Sequence, residues 1–180
     1  MHCTTVYNDT SFKREFFACS VYKDRYVVVA AGDRGFYLQS AAMYDVHAQS
    51  HIALPNLPFF GSCSGVVIAD YFYVAKHHGI YRICLSGTKP LQWEVVRDTL
   101  NHEIKNMMTD GNHLYFIRRD RIYQYDVTMD KLIYLSSLPS QIRFSTMVSG
   151  TLVDNKIYFI KPNLQDRYHI VFNITTAIQR

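Results

Sequence analysis

The residues best suited to chemistry are few and widely spaced. His47 and His51 form an HxxxH spacing, which on a helix would place two metal ligands on one face, but here they flank a predicted strand-to-strand turn. His77 and His78 also fall in a predicted turn, and no third ligand lies near them in the sequence. The sequence therefore predicts neither a metal site nor a cofactor.

The cysteines and carboxylates show no catalytic pattern. The four cysteines include no CxxC pair, and the chain carries no Gly-rich phosphate loop, nucleophile elbow or triad signature. Asp45 and Asp126 recur at matching positions of two repeats. Recurrence favours a structural role, in which a turn aspartate accepts hydrogen bonds from backbone N–H groups. We expect a protein that is not an enzyme.

The composition and the charge limit the classes of partner that the sequence favours. Hydrophobic residues make up 48% and charged residues 19%, as in ordinary folded proteins, and an aromatic share of 14% favours strands. The net charge of +4 is spread along the chain, which disfavours nucleic acid as a partner. No apolar run approaches the roughly 18 residues that a membrane span needs. The N-terminus lacks the apolar core of a signal peptide, so we expect a cytoplasmic protein without membrane contact.

A repeat of about 45 residues is the strongest signal in the sequence. Four aromatic and aliphatic segments each follow one or two turn residues: 24–29, 70–75, 112–117 and 155–160. The spacings are 45, 43 and 43 residues when these positions are taken as equivalent: Tyr26, Tyr71, Leu114 and Ile157. A second strand follows each segment, small and β-prone residues precede it, and no stretch has a helical period.

Four-stranded units of this length are typical of propeller blades. We predict an all-β chain, a β-propeller of about four four-stranded blades. It forms a single domain with approximate repeats 16–61, 62–103, 104–143 and 144–180, after an N-terminal segment 1–15. The last repeat ends where its outermost strand would begin, so we expect an incomplete propeller or open arc. A small closed ring and a fragment of a longer protein are the alternatives, and residues 6–12 could complete the last blade.

Residues 43–58, MYDVHAQSHIALPNLP, resemble a kelch repeat, with a Tyr-Asp dipeptide, a Trp position seven residues on and a Leu-Pro close. The preceding strand resembles the kelch strand that ends in two glycines, although the pair here is Ala31-Gly32. The Trp position holds His51 in the first repeat and Leu132 in the third. Trp93 fills it in the second if that loop carries a three-residue insertion. The later repeats lack the glycine pair.

The resemblance implies a kelch-like scaffold that binds a protein partner at one end of the propeller. The turns between second and third strands and the inter-blade loops meet at that end. Residues that do not recur between blades are free to bind there, and Arg and aromatic side chains dominate interface energetics. The predicted binding residues are Arg34, Phe36, His77, His78, Arg119, Arg143, Arg167, Phe59 and Phe60.

Several alternatives stay open. Phe59 and Phe60 fit packing between blades as well as binding. The partner is expected to present an acidic or phosphorylated segment, and open blade edges offer a route to self-association. The alternative function is a propeller-based enzyme or metal protein such as a galactose-oxidase-like oxidase.

Overall fold

The computed structural model describes residues 14–76, 79–87, 91–98, 104–118, 120–138, 149–160 and 169–173. Within these ranges every regular element is a strand, and no helix has the length and apolar character to cross a membrane. The strands are β1 (Ala18–Tyr22), β2 (Tyr26–Ala30), β3 (Ala41–Asp45), β4 (Ser50–Leu54), β5 (Ser64–Ile68), β6 (Tyr71–Lys76), β7 (Gly79–Cys84), β8 (Glu94–Arg97), β9 (Ile104–Thr109), β10 (Leu114–Arg118), β11 (Arg121–Asp126), β12 (Lys131–Ser137), β13 (Ser149–Val153), β14 (Lys156–Ile160) and β15 (His169–Asn173).

The strands form four antiparallel sheets in which chain order equals spatial order. Blades 1 to 3 are β1–β4, β5–β8 and β9–β12, and blade 4 contains β13–β15 in the described part of the chain. The first strands of successive blades contact one another, β1 with β5, β5 with β9 and β9 with β13. Within the described residues β13 and β1 make no comparable contact. The sheets therefore radiate from one axis as an incomplete propeller, which confirms the predicted fold class.

The core lies between the blades. In β6, Phe72 and Val74 face blade 1, whereas Tyr73 and Ala75 face blade 3, because alternate side chains point to opposite faces of a strand. A blade with two neighbours buries both of its faces. That is why β6 reads as a continuous apolar run instead of an alternating pattern. A third cluster, including Ile157, joins blades 3 and 4.

The strand register corrects one predicted equivalence. Val27 pairs with Tyr44 and Leu114 pairs with Tyr125, so Leu114 matches Val27, not Tyr26. The cause is local: the turn that precedes β10 is one residue longer than the turn that precedes β2. The repeat holds, and the predicted alignment of the third blade is wrong by one residue.

Trp93 occupies the register position of blade 2 that was predicted for the Trp of the repeat. Glu94 in β8 pairs with Arg82 in β7, so the preceding residue, Trp93, lies level with Ile83. The β7–β8 connection is longer than its counterparts in blades 1 and 3, as the predicted insertion requires. The indole Nε1 donates to the carbonyl oxygen of Pro55 at 2.8 Å, which ties blade 2 to blade 1.

Polar side chains link the innermost strands of neighbouring blades. The backbone N–H of Val67 donates to Ser20 Oγ at 3.0 Å, and that of Met107 donates to Ser64 Oγ at 2.9 Å. The Asn106 amide donates to a carbonyl oxygen of β13 at 3.0 Å. These strands surround a funnel of about 390 Å³ at the axis. Small and polar residues in the innermost strands therefore add hydrogen bonds to the apolar contacts between blades.

Candidate binding surface

The two ends of the blades carry different connections. The hairpins β2–β3, β6–β7 and β10–β11 lie at the same end as the links between blades, because each strand reverses the direction of the one before it. We call this the loop end. The opposite end, with the hairpins β1–β2, β3–β4 and their counterparts, is the turn end. Of the predicted binding residues that the structure describes, Arg34 and Phe36 belong to the β2–β3 loop and Phe59 and Phe60 to the β4–β5 link, both at the loop end.

At blade 1 the loop end is held by backbone hydrogen bonds between three segments. Gly32 N donates to the Gly61 carbonyl at 3.0 Å, and Gly61 N donates to the Leu38 carbonyl at 2.9 Å. Glu15 and Asp33 exchange two backbone hydrogen bonds of 2.8 Å. The β2–β3 loop, the β4–β5 link and the segment before β1 thus form one unit, which we call the loop frame.

Gly32 is required at the centre of the loop frame. Its φ of +101° lies in the region that favours glycine, and a Cβ built there would lie 2.8 Å from both the Glu15 carbonyl oxygen and the Phe17 Cβ. The Arg14 side chain adds donors to the same frame, because its Nη1 lies 2.9 Å from the Ala31 carbonyl oxygen and 2.7 Å from that of Ser40. Burial lowers the pKa of Arg14.

Large aromatic side chains project from the loop frame into solvent. The exposed fractions are 46% for Phe16, 63% for Phe36, 67% for Tyr37 and 56% for Phe60. We call these four residues the aromatic patch. Most large apolar side chains of the described chain are buried between blades, so four exposed aromatic rings on one hydrogen-bonded frame mark a surface suited to contact.

The predicted residues divide into three groups. Arg34, Phe36 and Phe60 are exposed on the loop frame. Phe59 is half-buried. Its ring centroid lies 5.0 Å from that of Tyr81 in blade 2, and the Lys76 Nζ lies 5.5 Å from the Phe59 centroid, so these contacts agree with packing between blades. The remaining five lie outside the described residues: His77, His78, Arg119, Arg143 and Arg167.

Two members of the aromatic patch were not predicted. Tyr37 follows Phe36 directly in the non-recurring loop GDRGFYL, and the same reasoning applied to that loop would have included it. Phe16 is the first residue of the first predicted repeat, 16–61, in which small and β-prone residues are expected to form the innermost strand. The structure begins that strand at Ala18 and gives Phe16 a positive φ of 54°, which places it outside the sheet.

The turn end is closed by carboxylates. Asp45 Oδ1 accepts hydrogen bonds from the backbone N–H groups of His47 and Ala48, and Asp126 Oδ1 accepts the corresponding bonds in blade 3. The predicted structural role of these aspartates is confirmed. Arg25 Nε also lies 3.0 Å from both Asp45 carboxylate oxygens. Hydrogen bonding from Arg25 and from the turn amides holds the pKa of Asp45 well below its usual range.

Side chains that could ligate a metal ion and free cysteine thiols both occur among the described residues. Within them no group of three or more His, Cys, Asp or Glu side chains is placed to hold a metal ion. Burial raises the pKa of the Cys63 thiol to about 12, and its Sγ lies 3.3 Å from the Ala30 carbonyl oxygen, so this cysteine is almost entirely protonated at neutral pH. His47 and His51, the HxxxH pair, lie exposed at the turn end and on β4.

Comparison with known proteins supports the fold. No protein-family model matches the chain, and no curated protein matches it. Among solved structures it is similar to a chain in the crystal structure of a nidogen/laminin complex, a β-propeller, with a TM-score of 0.65 and 10% sequence identity. The match covers 88% of this chain and 59% of that chain. At this identity the likeness shows the propeller fold.

Proposed function

We propose that the chain is a kelch-like interaction scaffold that binds a protein partner through the loop end, and that it is not an enzyme. The observation that carries the proposal is the aromatic patch on its hydrogen-bonded frame. Exposed Phe and Tyr side chains beside an exposed arginine, Arg34, have the composition of binding hot spots. A frame fixed by backbone hydrogen bonds reduces the ordering cost of association.

The kelch-like assignment rests on residue patterns of blades 1 to 3. The Tyr-Asp dipeptides at 44–45 and 125–126 share one place in the β3–β4 and β11–β12 hairpins, and Trp93 lies in the matching row of blade 2. Kelch-like propellers commonly grip partners at the loop end. A cytoplasmic location stays a prediction from the sequence.

Mutation of the loop end tests the proposal. The variant Arg34→Ala/Phe36→Ala/Phe60→Ala removes the exposed side chains and leaves the backbone of the loop frame intact. Its matched control, Val46→Ala/Met129→Ala/Val153→Ala, removes exposed apolar side chains at or next to turn-end hairpins, with exposed fractions of 49%, 67% and 49%. Both variants are expected to keep the stability of the unchanged chain within about 0.5 kcal/mol per substitution, since surface changes usually cost no more.

Each variant serves as bait in quantitative affinity purification, followed by binding measurements on any partner recovered. The expected result is one partner whose affinity falls by about thirtyfold or more with the loop-end variant and hardly changes with the turn-end control. Equal recovery with both variants would overturn the proposed surface.

Self-association through blade edges is a separate part of the proposal. Within the described residues no strand pairs with the outer edges of β4, β8 and β12, and these strands carry exposed side chains, among them Ile52 and Val95. Sedimentation of the purified chain tests self-association. A molecular mass equal to that of one chain, even at the highest accessible concentration, would reject it.

A further inference from the structure

Arginine side chains of this chain lie repeatedly over tyrosine rings, and three of these pairs also have a carboxylate partner. Arg82 Cζ lies 4.6 Å from the Tyr71 ring centroid, and its Nε donates to Glu94 at 2.8 Å. Arg25 and Arg97 show the same arrangement with Asp45 and Asp130. In these pairs the guanidinium donors are directed to a carboxylate of the chain itself.

Two arginines of blade 3 break this pattern. Arg118 Cζ lies 5.6 Å from the Tyr123 ring and Arg121 Cζ lies 5.8 Å from the Tyr134 ring, but among the described residues neither has a carboxylate within ion-pair distance. Hydrogen bonding to Tyr123 and the more distant charge of Asp120 raise the pKa of Arg121. The Nε of Arg118 is buried without a hydrogen-bond acceptor. Arg97 Nε is buried without an acceptor in the same way, but Arg97 Nη1 donates to Asp130. Among the described residues Arg118 has no such carboxylate partner, and its Nε is enclosed, so its Nη1 and Nη2 groups are the donors that an acceptor from outside the chain would meet.

The strand register also places the two arginines opposite each other. Arg118 and Arg121 are direct cross-strand partners at the loop-end hairpin of β10 and β11. Like charges in such a pair repel, and an anion between them removes the repulsion. Tyr134 is 51% exposed, and its hydroxyl lies 3.0 Å from Ser137 Oγ, while Ser137 is the strand partner of Arg121.

We propose that Arg118 and Arg121, with the hydroxyls of Tyr134 and Ser137, form a site for a phosphoryl group on the protein partner. Two guanidiniums supply paired N–H donors for a dianion, and the hydroxyls supply further hydrogen bonds. The inference rests on the proposed function, because the site lies at the loop end that the aromatic patch shares. It assigns a partner chemistry to blade 3, whereas the aromatic patch belongs to blade 1.

Titration of the unchanged chain with phenyl phosphate tests the site, with the arginine Nε–Hε NMR signals as the readout. The signals of Arg118 and Arg121 are expected to shift and to saturate at a dissociation constant on the order of 1 mM. Arg82 is the internal control, because it also stacks on a tyrosine but already has a carboxylate partner. Its signal is expected to stay in place.

Phenylacetate provides the carboxylate arm, and Arg121→Gln is expected to weaken phenyl phosphate binding about tenfold or more. The proposal is overturned if Arg118 and Arg121 respond no more than Arg82, or if phenylacetate saturates them at the same concentration. The titration needs no partner protein, so its failure is distinguishable from a failure of the loop-end bait experiment.

Discussion

The loop end and the turn end of the blades satisfy their polar groups in different ways. At the turn end, side chains supply the hydrogen-bond partners. Asp45 accepts from a turn amide and pairs with Arg25, and the Tyr22 hydroxyl donates to Asp70 across the interface between blades 1 and 2 at 2.6 Å. At the loop end of blade 1, backbone groups bond to one another and the aromatic patch is left in solvent. Side chains that are not needed for folding are free to contact a partner.

The largest expected effect breaks the loop frame itself. Gly32→Ala places a Cβ against backbone atoms at a φ of +101°, so we expect a loss of about 1–3 kcal/mol in the free energy of unfolding. Gly111→Ala is the turn-end control, since Gly111 has a similar φ of +93° but open space around its Cα. Chemical denaturation measures both. Equal losses would show that the contacts of the loop frame contribute nothing beyond backbone strain.

Acid is expected to loosen the turn end before the loop end. The pKa of Asp70 is lowered by hydrogen bonds from Tyr22 and Lys23, and that of Asp45 is lowered as described above. Burial raises the pKa of Asp110, but hydrogen bonds from Asn112, His113 and other donors outweigh it and leave that pKa lowered as well.

A carboxyl group whose pKa is lower in the folded state stabilises the fold above its unfolded pKa. That stability is lost as the pH falls from about 4 downward. Hydrogen exchange, corrected for intrinsic rates, should show the amides of residues 47 and 48 losing protection at a higher pH than the amides of Gly32 and Gly61. Simultaneous loss at both ends would contradict the prediction.

A smaller effect separates two equivalent aspartates of the turn end. Asp45→Asn keeps an acceptor for the turn amides but weakens the pairing with Arg25, and we expect the melting temperature to fall by several degrees. Asp126→Asn has no arginine partner to lose among the described residues and should change stability by less than about 0.5 kcal/mol. Thermal denaturation of both variants under the same conditions tests this difference. An equal decrease in melting temperature would show that the turn hydrogen bonds, not the pairing with Arg25, supply the stability.

Much of the fold could be predicted because it depends on residue types that lie close together in the sequence. The repeat period, the strand segments and the turn role of Asp45 and Asp126 all follow from residue types at short range. The one-residue shift at Leu114 was missed because two turns differ in length, and turn length is not visible in the strand pattern.

The candidate surface was less predictable because it depends on contacts between distant segments. Nothing near Gly61 indicates that its carbonyl accepts from Gly32, and the frame that supports the aromatic patch depends on that contact. Phe59 and Phe60 are adjacent and chemically identical, yet only Phe60 is largely exposed. The unpaired state of Arg118 likewise appears only when its neighbours are known.

The hydrogen bonds between the innermost strands determine how a structural change in one blade reaches the others. Ser20, Ser64 and Asn106 each tie one blade only to an adjacent blade, so the described chain is coupled as a linear series, not as a closed ring. A change in blade 4 must pass through two further blades to reach the aromatic patch on blade 1. The proposed anion site on blade 3 and the aromatic patch on blade 1 are therefore coupled through blade 2, which packs against both of these blades.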